Sequence, residues 1–205
     1  MIPLEETVAI LLCAGLSRRY GAGNKLLAPL AGEPLVAHAA GLCARVPFAG
    51  RIAIVRPNDT ALAALLGPFD LDLVANPDPE AGKDSSLRLG LGAALTRRPR
   101  GVLVLLGDMP HIAATHLHAL SVAADDGTAA ISRAGETTSP PALIPAELAG
   151  RALHGIDRPV RESLGRLVDV AAPSSMLVDY DRPEHFAREA DWARNKVRCC
   201  SSEGA

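Results

Sequence analysis

Aromatic side chains are scarce in this 205-residue sequence: Phe, Trp and Tyr together make up 3% of it. That argues against base stacking on aromatic platforms as the main activity. The core has to be built from Ala, Leu, Val and Ile instead. An excess of positive charge is missing too. The formal net charge is −2, which leaves no basic field for nucleic-acid binding, so an anionic ligand has to be met by a local cluster. The four cysteines, Cys13, Cys43, Cys199 and Cys200, form no CxxC pair, and neither a zinc site nor a redox motif is indicated. HExxH and GxSxG are absent as well, which removes the best signatures of a zinc protease and a serine hydrolase. The six histidines read as surface or helix residues; His116 and His118, two apart, do not share a helix face. No long apolar run occurs. Val8–Leu12 is too short for a signal core or a membrane span, and the acidic start before it has no basic region. The default expectation is a cytoplasmic protein that binds neither membrane nor nucleic acid.

What is present is 48% apolar and 21% charged residues, an ordinary globular balance. The length suits one core, and we expect a single domain over 1–196 with a frayed tail at 197–205. Short apolar runs at Val8–Cys13, Arg51–Val55, Leu71–Ala75 and Gly101–Leu106 read as strands, Thr128–Ser132 and Ala142–Ile144 as weaker ones, and Met176–Val178 as a last short strand. Between them, Gly32–Arg45, a segment from Asn58 to Leu66, one from Asp84 or Ser85 to Thr96, Ala113–Ala123, Pro159–Leu167 and Arg182–Lys196 read as helices. Arg133–Pro141 reads as a loop that breaks the alternation. Strands alternating with helices predict a three-layer, Rossmann-like α/β fold with a mostly parallel central sheet.

In such sheets ligands bind at the carboxyl edge of the strands. Three segments fall there. Ala14–Lys25 contains Arg18, Arg19 and Lys25, no acid, and glycines at 15, 21 and 23. Glycines let the backbone approach a ligand and turn its N–H groups inward, while Arg and Lys neutralise phosphate. It is neither a Walker A loop, since Leu26 follows Lys25, nor a GxGxxG turn. Gly107-Asp108-Met109-Pro110 sets an aspartate at the end of a buried strand, where it needs a partner such as Mg²⁺ or serves as a helix cap. Asp179-Tyr180-Asp181-Arg182-Pro183-Glu184 offers Asp181 as an N-cap and Asp179 as the better second metal carboxylate, an assignment that can reverse.

Taken together, these residues resemble the MobA-like NTP transferases. Leu12-Cys13-Ala14-Gly15-Leu16-Ser17-Arg18-Arg19-Tyr20-Gly21 followed by Lys25 is similar to the family's L-A-A-G-x-S-x-R-x-G loop. Gly107–Pro110 resembles its metal-binding G-D-M-P, and 179–184 its closing D-I-D-T-P-E. Asn76-Pro77, Gly82, Ser86-Leu87 and Gly90 resemble the stretch near the nucleotide. The likeness spans roughly residues 7 to 190 and runs toward the molybdenum cofactor cytidylyltransferases, because Ala14 matches the small residue of CTP users. It implies transfer of a nucleoside monophosphate from an NTP, CTP in preference, to a small phosphorylated acceptor of the molybdopterin type. Mg²⁺, with Mn²⁺ as a substitute, is the implied cofactor, and a molybdoenzyme or chaperone the implied partner. Arg19, Lys25 and Asp108 are then catalytic. Ala14, Gly15, Ser17, Arg19, Lys25, Asn76, Ser86 and Gly107 hold the nucleotide. Asp108 and Asp179 hold the metal, and Asp157, Arg161 and Asp181 lie on the acceptor side. Ile156, Pro159 and Ser139 depart from the family pattern there. GMP transfer, a methylerythritol-phosphate or sugar-phosphate acceptor, and a non-catalytic nucleotide-binding domain are the alternatives.

Overall fold

The computed structural model describes residues 1–21, 23–154 and 158–186. Asp157, most of the expected last helix and the tail with Cys199 and Cys200 lie outside them. The chain runs β1 (Thr7–Leu12), a small hairpin of β2 (Pro29–Leu30) and β3 (Glu33–Pro34), α1 (Leu35–Arg45), β4 (Gly50–Val55), α2 (Thr60–Leu66), β5 (Asp72–Ala75), α3 (Lys83–Leu95) and β6 (Gly101–Leu106). It continues through α4 (Ala114–Ala123), β7 (Ala129–Ala134), β8 (Thr137–Pro145), α5 (Ala146–His154), α6 (Val160–Ser163) and β9 (Leu167–Ala171).

Seven strands form one sheet in the order β5-β4-β1-β6-β8-β7-β9. The pairs from β5 to β6, and β7 with β9, are parallel; β8 is antiparallel to both its neighbours. Alternation along β1 and β6 explains the three layers. Ala9, Leu11, Leu103 and Leu105 point to one face, where Val36, Leu62 and Leu117 bring α1, α2 and α4. Val8, Ile10, Val102 and Val104 point to the other, where Leu91 and Ala149 bring α3 and α5. Both faces of the central strands are dry, as unbroken apolar runs demand. The chain moves from β1 outward to β5, then crosses back to place β6 on the other side of β1. That reversal opens a crevice beyond the carboxyl ends of β1 and β6.

Several expectations need correction. The segment 133–141 is no loop: it holds the end of β7, a turn at Gly135 and the start of β8. Pro140 and Pro141 hid the strand. They sit between the paired residues Ser139 and Ala142, in a bulge opposite Ile131 and Ser132, where a missing N–H breaks no ladder bond. The segment 159–167 is helical only over Val160–Ser163, and Leu167 already opens β9. Met176–Val178 is no strand: Met176 and Leu177 close a turn, their amides donating to the carbonyls of Pro173 and Ser174. α2 is capped by Asp59, whose carboxylate accepts from the Leu62 amide; Asn58 takes a positive φ instead. Among the described residues, no helix is long and apolar enough to cross a membrane.

His116, on α4, is buried, and burial lowers its pKa below the ordinary histidine value. The Ser132 hydroxyl donates to the Pro141 carbonyl at 2.7 Å, so the His116 Nε2–H donates to Ser132 Oγ at 2.8 Å. This bond ties α4 to the bulge. The unfolded chain takes up a proton near pH 6.5, which the folded one resists. The His116 contribution is therefore complete above that pH and lost as pH falls below it, by at most about 1.4 kcal/mol per pH unit. Urea unfolding at pH 7.5 and 5.5 is expected to show a loss of stability that shrinks in His116→Gln. Equal losses in both proteins would remove His116 from the pH response.

Candidate active site

A cleft of about 430 Å³ opens at that crevice. Its floor is apolar, made by Leu12, Cys13, Leu26 and Leu106, and its walls are polar. One wall is the 14–19 loop, where Gly15 leaves room: a Cβ built there would meet no neighbouring atom within 4 Å. Ser17, at φ 53°, turns the loop back and accepts from the Lys25 amide at 3.3 Å. Asn24 fixes the next turn. Its Oδ1 accepts from the Leu26 amide, and its Nδ2 donates to Asp59 at 2.8 Å, so the Lys25 backbone is anchored to the start of α2.

The opposite wall is the segment after β5. Gly90 lets α3 lie against β1: a Cβ there would fall 2.8 Å from Ile10 Cγ2. This close approach accompanies the first turn of α3 standing beside the cleft, where Gly82, Lys83 and Ser86 line it. Asn76 is buried and outside the lining. Its Nδ2 donates to Ser85 and Ser86 at 3.0 and 2.9 Å, so it braces the lining serine. Arg18 reaches across to Glu80, 3.0 Å away, joining the two walls at the mouth.

The third wall is acidic. Gly107 can be nothing larger, since a Cβ would sit 2.8 Å from Cys13 Sγ. The two strand ends thus approach closely and carry Asp108 into the cleft. The Tyr180 amide donates to the Asp108 carbonyl at 3.1 Å, and Tyr180 is 2% exposed. Its ring packs against Phe186, which also meets Tyr20, and its hydroxyl pairs with His111. Much of the sparse aromatic content is gathered here, and it delivers Asp181. Lys25 Nζ donates to Asp108 Oδ2 at 2.5 Å and also to Asp181 Oδ1. Arg19 pairs with the other Asp181 oxygen at 2.7 Å.

Burial pulls the Lys25 pKa down, but the Asp108 charge and the bonds to both aspartates outweigh it, holding the ammonium above its ordinary value. Burial likewise opposes ionisation of Asp181, yet Lys25, Arg19 and Lys83 keep its carboxyl below the usual range. Burial, with the Asp108 charge adding, pushes the Cys13 thiol well above its usual value, and burial raises Cys43 to about 12. Both are inert packing thiols.

Of the residues singled out from sequence, Ala14, Gly15, Ser17, Arg19, Lys25, Ser86, Asp108 and Asp181 line the cleft. Gly107 lies directly behind it. Asp179 is not in the lining; Asp181 takes the place facing Lys25, its two oxygens paired with Lys25 and Arg19. Arg161, on α6, is exposed and away from the cleft wall, and Asp157 lies outside the described residues. Sequence reasoning missed Glu80 and Lys83. The signal for Lys83 was its position just after a glycine opening a helix.

The fold and this cleft have relatives. The chain is 30% identical over 144 residues to purine catabolism protein PucB of Bacillus subtilis (strain 168), covering 65% of this chain and 68% of PucB. Its fold matches the crystal structure of the Mycobacterium tuberculosis rv0371c homolog from Mycobacterium sp. strain JC1, with a TM-score of 0.78, 22% identity, and 93% and 98% of the two chains covered. It also matches M. tuberculosis Rv0371C in complex with manganese, with a TM-score of 0.71, 18% identity, and 92% and 98% covered. The model of the MobA-like NTP transferase domain matches residues 9–170, and the chain belongs to that family.

Proposed function

We propose that the cleft transfers CMP from CTP to a phosphorylated acceptor of the molybdopterin type and releases pyrophosphate. The observation that carries the transfer chemistry is the meeting of Lys25 with Asp108 and Asp181 beside a cationic glycine loop. The preference for CTP rests on Ala14, buried in the cleft wall, which resembles the CTP users of the family.

The donor set fits a magnesium or manganese ion. Asp108 and Asp181 aim one oxygen each at a single cationic nitrogen. Mg²⁺ is characteristically held by one or two carboxylates, with water and phosphate oxygens completing its shell. Among the described residues no set of three or more His, Cys, Asp or Glu side chains converges into a fuller cage. When bound, the ion would neutralise phosphate charge as it develops.

The protein's own groups do the rest. The 15–19 segment presents its backbone to the triphosphate, with the Arg19 and Lys25 cations beside it. An acceptor phosphate oxygen, already ionised, attacks the α-phosphorus in line. The bond to the bridging oxygen breaks, and pyrophosphate leaves with that electron pair. No proton needs to move, so catalysis is positioning and charge stabilisation. Melting curves with Mg²⁺ and each of CTP, GTP, UTP and ATP test the donor: CTP is expected to raise the melting temperature most, since a ligand bound only by the folded state stabilises it. A larger rise with GTP would overturn the cytidylyl assignment, and no rise with any of them would overturn the nucleotide site.

A further inference from the structure

We propose that Lys25 is the resident placeholder of the metal position: its ammonium fills the point between Asp108 and Asp181 until a nucleotide draws it away. This rests on the transferase reading above and adds an order of binding to it.

Three observations carry it. First, one nitrogen serves both carboxylates, so a divalent ion held by those same two oxygens and the ammonium exclude one another. Second, the charges already cancel. Lys25 and Arg19 face Asp108 and Asp181, two cations against two anions, and a free divalent ion finds no net negative field there. Third, the backbone of Lys25 is pinned while its side chain is long. Ser17 holds its amide, and Asn24 locks the turn onto Asp59. Only the side chain is left to swing, and the cleft beside it is lined by Arg18, Arg19 and Lys83 as well.

A triphosphate supplies what the ammonium lacks, an alternative anionic partner on the loop side. Once Lys25 turns to it, the carboxylates of Asp108 and Asp181 are left facing each other without the cation between them, a position that favours entry of another. Nucleotide and metal therefore raise each other's affinity, and by linkage they do so equally. Metal binding by the nucleotide-free protein is correspondingly weak.

The test is Mn²⁺ titration without nucleotide, reading free Mn²⁺ by electron paramagnetic resonance. Wild type is expected to bind Mn²⁺ weakly. Lys25→Met keeps the apolar stem and removes the ammonium, and is expected to bind at least about tenfold more tightly. Adding Asp181→Asn to that variant is expected to erase the gain. Lys25→Gln, a polar neutral side chain, is the second variant if methionine compromises folding, with the same gain expected; circular dichroism checks both folds. Tight Mn²⁺ binding by wild type, or unchanged binding in a folded Lys25 variant, overturns the proposal. The transferase reading fails separately: a gain in the variant with no NTP raising the wild-type melting temperature leaves the placeholder standing and removes the transferase. A binding nucleotide without any gain does the reverse.

Discussion

Replacing Asp108 by asparagine is expected to lower pyrophosphate release by about 10³-fold or more, while the protein stays folded. The side chain keeps its shape and its place after Gly107, so the steric fit of the two strand ends is untouched. Lys25 keeps Asp181 as a partner, and the Asp108 carbonyl still accepts from the Tyr180 amide. What goes is one of two anionic oxygens aimed at the cation position. A loss of about 10³-fold corresponds to about 4 kcal/mol of transition-state stabilisation, the scale seen when one preorganised electrostatic group is removed from a closed site. Steady-state pyrophosphate release with CTP, Mg²⁺ and acceptor checks it, with a melting curve to establish that the fold persists. Near-normal release in the variant would mean that Asp108 is not part of the metal site.

Lys25→Ala is expected to cost about 10²-fold or more in kcat/KM. Lys25 is 7% exposed, and its single nitrogen bonds the carboxylates of both Asp108 and Asp181. Its removal takes away a cation next to the triphosphate. The expected signature is a fall in kcat with a smaller change in KM, because a charge that builds up on the leaving pyrophosphate is felt more in the transition state than in the bound substrate. A rise in KM alone would make Lys25 a binding residue without a part in the chemistry. Stability is expected to suffer too, since two carboxylates lose the ammonium between them, and the kinetics have to be read at a temperature where the variant is folded.

The central strands were legible because their physics is local. Gly101–Leu106 is an apolar run between two glycines, and its bounds agree with the observed β6. Cationic glycine loop and acidic strand end could be placed at one edge because parallel strands share a carboxyl edge. The misses follow from contacts distant in sequence. Pro140 and Pro141 argue against a strand locally, and only the bulge against β7 accommodates them. The β2–β3 hairpin has two-residue strands joined through Ala31 and Gly32, both at positive φ, too short for any alternation to register. α5 went unread although Leu148, Ala149 and Ala152 recur at helical spacing after Pro145. Asp181 was read as a cap, with the metal role open to it by exchange with Asp179. Its place facing Lys25 is set by Tyr180, whose burial against Phe186 and whose amide bond to Asp108 orient the next residue. Asn76 was read as holding the nucleotide, whereas it lies outside the lining and braces Ser86.

The antiparallel β8 marks a seam in the sheet. On one side, residues 12 to 108 supply every wall of the cleft except Asp181. On the other, β7, β8 and β9 supply none of the described residues that line it, and the chain returns to the cleft only after β9, where Asp181 meets Lys25. Such a division leaves the surface of β7, β8 and β9 open to change without disturbing the walls of the cleft.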